Sequence, residues 1–224
     1  DLLTKIAPPW IHPQFPALIQ DRQISGLIEV VSATVTGSYA AGPQLAVTGE
    51  FRVEQGQALL GEGHIPARDL SAQVIVEAGR IRVTKLSGLY GTIHMADSRG
   101  QLTFLDQGPW VEMEIGGSMA AADLLRFLST TVRSEQLSRV LASSRDVEGM
   151  AMPVFRLVGP PGAITFAGGE VKAQHVNLTN SLLPERLTGL EGRIVLAEGE
   201  TQFDNLTGHL GDLTVQVQGG MTGG

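Results

Sequence analysis

Apolar and polar residues alternate with period two along most of this chain, and that period predicts strands. Phe51 and Val53 alternate with Glu50, Arg52 and Glu54. Ala72, Val74 and Val76 share a face, Ala78-Gly79 reads as a tight turn, and Ile81 and Val83 continue on a partner strand with Arg80, Arg82 and Thr84 outward. Ile93 and Met95, then Leu102 and Phe104, extend the pattern across a turn expected at Asp97-Ser98-Arg99-Gly100. Further on, Val111, Met113 and Ile115 oppose Trp110, Glu112 and Glu114, and Leu213, Val215 and Val217 oppose Thr214, Gln216 and Gln218. Gly56, Gly61, Gly63 and Pro66 read as turns. Strict alternation buries one side of each strand, as an antiparallel sheet with one dry and one wet face requires.

One stretch breaks the rhythm. Between Ala120 and Ser143, Leu124, Leu125, Leu128 and Val132, then Leu137, Val140 and Leu141, recur at helical spacing, with Asp123 or Ser134 as N-caps. This predicts one bent helix or two short ones, packed across an open end or edge of the sheet. A polar link, SSRDVEGMAM, is expected to follow before strands resume at PVFRLVG. In GGEVKAQHVNLTN the register shifts at His175-Val176, so Val176 and Leu178 stay on the apolar face only with a bulge there. At the other end, Pro8, Pro9, Pro13 and Pro16 around Trp10 and Phe15 make residues 1–23 an extended arm. The expected division is thus arm 1–23, sheet module 24–119, helical insertion and link 120–150, and sheet module 151–224.

The two sheet modules share a motif. Leu86 begins LSGLYGTI and Leu187 begins LTGLEGRI, 187 − 86 = 101 residues apart, and each is followed by an alternating strand that runs into Gly-Gly-Met or Gly-Gly-Ser-Met. A period of this size suggests a repeated sheet module rather than a short solenoid coil.

Composition narrows the function. The 224 residues are 42% hydrophobic, enough for a sizeable core, while a net charge of −7 argues against a nucleic-acid partner and against attraction to an anionic membrane. The 28 glycines suit turns and bulges in a strand-rich chain. With no cysteine, thiol catalysis, disulfides and Cys-based zinc sites are excluded. No window reaches the ~18 apolar residues of a membrane helix, and the Gly-rich MTGG terminus reads as a segment cut from a longer chain. His12, His64, His94, His175 and His209 stand singly, and there is no Gly-x-Ser-x-Gly elbow. GPPG at 159–162 lacks the Lys and Ser/Thr of a phosphate loop. The expectation is a protein without catalytic residues, metal or cofactor.

LSGLYGTI, LTGLEGRI, the closing NLTGHLGDLTVQVQGG, and AAADLLRFL followed by FRLVGPPGAITFAGGEVKAQHVNL together resemble the AsmA-like family of Gram-negative envelope proteins, the AsmA, TamB and YhdP group, with a YhdP-like segment the nearest likeness. The likeness runs from about Ile24 onward. It departs at Asp106-Gln107-Gly108-Pro109, where the family's glycine close is missing from the first copy. The resemblance implies a mainly β fold, a long curved antiparallel sheet of the repeating groove type with one or two short helices at 120–143. It also implies a periplasmic protein anchored in the inner membrane by a segment outside this sequence, whose groove shields phospholipid acyl chains between the two membranes. Its partners would be phospholipid and further segments of the same chain.

The groove-lining candidates are Phe51, Val53, Val74, Val76, Ile81, Val83, Ile93, Met95, Val111, Met113, Ile115, Ile194, Leu196, Leu213, Val215 and Val217. A sheet with one apolar face and little helix has too few elements to cover that face, and a large exposed apolar patch marks a binding surface. The alternative is a secreted or surface β-repeat adhesion module whose apolar faces close on themselves.

Overall fold

The alternating stretches form strands because β-branched and aromatic residues at every second position give each strand one packable face. The computed structural model describes residues 15–38, 44–60, 65–131, 135–197 and 200–222. They form eleven strands: β1 (Ser25–Ser38), β2 (Gln44–Leu60), β3 (Ile65–Glu77), β4 (Arg80–Tyr90), β5 (Ile93–Leu105), β6 (Gly108–Ala120), β7 (Ser144–Gly159), β8 (Thr165–Asn180), β9 (Leu187–Ala197), β10 (Glu200–Leu210) and β11 (Leu213–Thr222). The helices described are α1 (Phe15–Asp21), α2 (Ala121–Thr131) and α3 (Glu135–Ala142). The fold is mainly β, with the strands hydrogen-bonded in chain order from β1 to β11. Pairings such as β1 with β2, β3 with β4 and β10 with β11 are antiparallel.

Two compact units divide the chain. The first comprises residues 1–115 with 157–165, and the second 116–156 with 166–224. The helical stretch falls within the second unit, with the later strands.

Long strands of this kind face a geometric problem, solved the same way many times. Gln55 in β2, Asp69 in β3, Lys85 in β4, Asp97 in β5, Asp146 in β7, His175 in β8 and Asn205 in β10 all have φ between 49° and 52°. Register shifts fall around Gln55, Asp69, Lys85 and Asp97 in the first unit and around His175 and Asn205 in the second. Each is a bulge, in which one extra residue flips outward and the strand bends. The residue types fit the position: none is β-branched, and short polar side chains tolerate the left-handed region best. The bulge expected at His175 is present, and Val176 is 6% exposed on the same face as Val171.

The bulges correct several expectations. Asp97 to Gly100 is no turn: β5 runs straight through, the extra residue at Asp97 resets the alternation, and Ser98 is buried. Gly56 and Pro66 lie inside β2 and β3, while 61–64 fall outside the described residues. The polar link SSRDVEGMAM is the first half of β7, because Arg145, Asp146, Glu148, Met150 and Met152 face outward while Ala151 and Pro153 are buried. The extended arm contains a helix at Phe15–Asp21, and the rest of it, 1–14, is outside the described residues. Asp123 sits inside the first turn of α2 and not at its cap, and Ser134 is not described.

The repeat also has a different spacing. Gly91 makes the β4–β5 turn with φ 58°, whereas Gly192, its counterpart in the sequence motif, lies within β9. The true counterpart is Gly211, also at φ 58°, in the β10–β11 turn. Lys85-Leu86-Ser87-Gly88 thus matches Asn205-Leu206-Thr207-Gly208, with 205 − 85 = 120. The registers agree: Tyr90 pairs Ile93 and Gly88 pairs Met95, as Leu210 pairs Leu213 and Gly208 pairs Val215. One strand earlier, Val74 pairs Val83 as Ile194 pairs Phe203. LSGL and LTGL resemble each other because both are Leu-rich bulge segments, in strands that occupy different places in the repeat.

If the left-handed conformation is required at these bulges, Asn205→Val lowers the unfolding free energy by about 1–2 kcal/mol. Asn205→Gly, free of the Cβ clash, costs much less. Urea titrations of both variants check this, and equal losses would contradict it.

Candidate functional site: the apolar face of each unit

In the first unit cross-strand pairs carry one apolar surface from strand to strand. Val30 pairs Phe51, Phe51 pairs Val74, Val74 pairs Val83 and Val83 pairs Gly100, so these side chains stand in one row. Met113 of β6 reaches the space left by Gly100. A parallel row runs through Val76, Ile81 and Leu102, and Val53 faces Ile28 and Ala72. Past the bulges, Ala58, Ala67, Tyr90 and Ile93 form another row, with Met95 opposite Gly88. Val111 and Ile115 fall on the same side as Met113 by alternation.

The opposite face is polar and held by ion pairs. Arg52 bonds Glu29 at 2.7 Å, Arg82 bonds Glu77 at 2.6 Å, Arg99 bonds Glu114 at 2.9 Å, and Gln101 donates to Glu112 at 3.1 Å. Exposed pairs of this kind contribute about 0–1 kcal/mol each. Their effect is to make a register slip costly, since sliding one residue would point Arg52 or Arg82 into the apolar rows.

The second unit repeats the arrangement. Val171 pairs Ile194, Ile194 pairs Phe203 and Phe203 pairs Gly219; Leu196 pairs Thr201, and Thr201 pairs Met221. Leu206 faces Val217, Gly208 faces Val215, and Leu210 faces both Leu187 and Leu213. On the reverse side Glu170 pairs with Arg193 and His175 with Glu191. Every groove-lining candidate thus lies on the apolar face of its own unit. The sequence pattern missed Leu70, Leu86, Tyr90, Phe203 and Leu206; for Leu70, Leu86 and Leu206 the signal was an apolar residue three positions from the neighbouring inward one, across a polar pair that holds the bulge, while Tyr90 and Phe203 continue the alternation on either side.

Burial along these faces is uneven. In the first unit Val76, Ile81, Ile93 and Met95 are buried, but Phe51, Val53, Val74, Val83, Val111 and Met113 remain partly exposed. β1 is open on both sides, with Leu27 at 59%, Val30 at 58% and Val31 at 50% exposure. In the second unit Val171 is 0% exposed and Leu196 and Leu206 are buried, whereas Val217 is half exposed and Leu213 stands in solvent. The burial near β8 has a local cause. Ala121 of α2 packs on Ala173 and Val176, and the Phe127 ring stacks on Phe155 at 4.9 Å while Phe166 meets both edge-on. The helix therefore lies on the face of β7 and β8 and not across an edge, because its apolar stripe finds its partners there.

Burial pushes the Tyr90 phenol up from its ordinary value. It therefore favours the folded state fully below the unfolded value near ~10, and that contribution is lost as pH rises through the higher folded value. Among the described residues no group of three or more His, Asp or Glu could hold a metal ion, and no helix is long and apolar enough to cross a membrane. Comparison with protein-family models, curated proteins and solved structures finds no match for this chain.

The unequal burial predicts unequal sensitivity. Phe155→Ala, at a ring 2% exposed, costs about 3–5 kcal/mol. Phe51→Ala on the partly exposed face costs less than half as much. Chemical denaturation of the two variants measures the difference, and equal costs would mean that the face carrying Phe51 is as tightly filled as the one carrying Phe155.

Proposed function

We propose that the chain is a non-enzymatic segment of a lipid carrier, in which the apolar face of the sheet shields phospholipid acyl chains from water. The observation that carries this reading is the row Phe51, Val74, Val83 in the first unit, continuous across strands yet partly exposed on its outer side. An apolar strip of this kind matches the chemistry of an acyl chain. Shielding ~16 methylenes is worth about 13 kcal/mol at ~0.8 each, so a carrier needs cover without gaps along its path. The bulges support the same reading, since they keep the strip apolar along strands of up to 17 residues where simple alternation would have turned it polar.

In the setting implied by the resemblance to AsmA-like proteins, the segment works in the periplasm of a Gram-negative bacterium. It belongs there to a longer chain anchored in the inner membrane and takes part in building the outer membrane. Its partners are phospholipid and neighbouring segments of the same chain. A second reading, an interaction module with a closed core, is favoured by the packing of α2 over Val176 and Phe155. There the apolar face is filled by the protein itself.

A photo-crosslinking residue separates the two. At Val215, on the apolar face, it captures phospholipid; at Gln216, whose side chain leaves the opposite face, it does not. Adducts at both positions or at neither, in folded protein, would sink the carrier reading and leave the closed module.

A further inference from the structure

We infer that the end of the second unit formed by the β8–β9 and β10–β11 turns docks on a lipid bilayer, with Leu182 and Leu183 as the inserting side chains. Leu182 is 63% and Leu183 39% exposed, Val140 at the end of α3 is 41% exposed, and Leu213 is 68% exposed. Turn residues are ordinarily Gly, Asn, Asp or Ser, chosen for backbone freedom and solubility. The corresponding β2–β3 connection of the first unit reads Gly61-Glu62-Gly63-His64, so two leucines at Leu182 and Leu183 are not a requirement of the repeat.

The tip is rigid. Asn180, 5% exposed, accepts the Leu182 N–H at 2.9 Å through its side-chain carbonyl. Its amide donates to the Val140 carbonyl at 3.1 Å and to the Ser144 hydroxyl at 2.9 Å. Leu183 N–H donates to the Asn180 carbonyl at 3.0 Å, and Ser181 N–H to that of Ser143 at 3.2 Å. The Glu185 carboxylate lies against Gly211, joining this turn to the β10–β11 turn beside Leu213. Exposed leucines on a braced backbone lose little further freedom on binding, which favours association.

The chemistry selects the partner. A protein groove engages such a tip through aromatic and arginine anchors in fitted pockets, whereas a bilayer interface accepts convex aliphatic side chains of any outline. The charges flanking the tip are mixed, with Arg139, Arg145 and Arg186 beside Asp146, Glu148, Glu185 and Asp212. Arg186 is already paired to Glu148 at 2.8 Å. Three arginines against four carboxylates give the collar no attraction to anionic lipid, so insertion is hydrophobic and only weakly salt-dependent. The inference rests on the carrier reading for its purpose, because a lipid carrier must meet the membrane that supplies or receives its cargo.

The test uses the 224-residue chain, which has no cysteine of its own. Leu182→Cys labelled with an environment-sensitive dye gains a blue-shifted emission on phosphatidylcholine vesicles and is quenched by a nitroxide-bearing lipid. The same label at Gln218→Cys, on the polar face, shows neither effect. The Leu182→Ser, Leu183→Ser double variant lowers vesicle-bound protein at least tenfold in flotation, and molar salt changes wild-type binding less than twofold. Equal responses at both labels, no response at Leu182, or unchanged flotation of the serine variant overturns the inference. Lipid capture at Val215, measured with short-chain phospholipid below its micellar concentration, reports the carrier reading independently. Capture without insertion removes the docking tip alone, and insertion without capture removes the carrier and leaves the tip standing.

Discussion

The single outward-flipped residue in each bulged strand is the constraint from which the remaining structure follows. A strand of period two holds one face apolar only while its sequence alternates, and these sequences step by three wherever a polar pair intervenes, as from Val83 to Leu86 and from Ala173 to Val176. Without the extra residue at Lys85 or His175, every side chain beyond it would change faces. Leu86 and Val176 would meet water, and their polar neighbours would enter the apolar rows. The left-handed conformation at these positions is a local strain, offset by burial of the whole second half of the strand.

Because the bulges recur in neighbouring strands, the two faces stay chemically distinct. The ion-paired face adds little stability, with its charges half in solvent. Its contribution is specificity: Arg52, Arg82 and Arg193 cannot be moved to the apolar side without leaving a charge unpaired among hydrocarbons. The 120-residue repeat preserves this division even where residue identity has drifted, with Asn205 in the place of Lys85 and Phe203 in the place of Val83.

One alternating pattern nevertheless leads to two different outcomes. Around β7 and β8 the apolar face is filled from within the chain by Ala121 and the Phe127–Phe155–Phe166 cluster. In the first unit the middle of the face keeps its side chains partly open. A closed core accounts for the first situation. The second leaves apolar side chains within reach of water, a contrast that the alternating pattern itself does not contain.

Strand content, the polarity of each face, the presence of helix between Ala121 and Ala142 and the bulge at His175 were all legible in the sequence, because each depends on neighbours a few positions apart. The candidate side chains from Phe51 to Val217 fall together on the apolar face of their units for the same reason. The length of the strands and the spacing of the repeat were not legible. Asp97 and Gly56 carry turn chemistry, and a bulge uses the same left-handed or glycine backbone as a turn; only the partner strand's hydrogen bonds decide that the chain continues straight. Likewise, Leu86 and Leu187 begin similar octets, but whether Gly91 reverses the chain or Gly192 stays in line depends on the register with the next strand. Burial was decided by tertiary structure alone. Val171 and Val217 alternate identically along their strands, and one is sealed while the other stands at an open edge, because packing against another element is a relation between distant parts of the chain that no local period encodes.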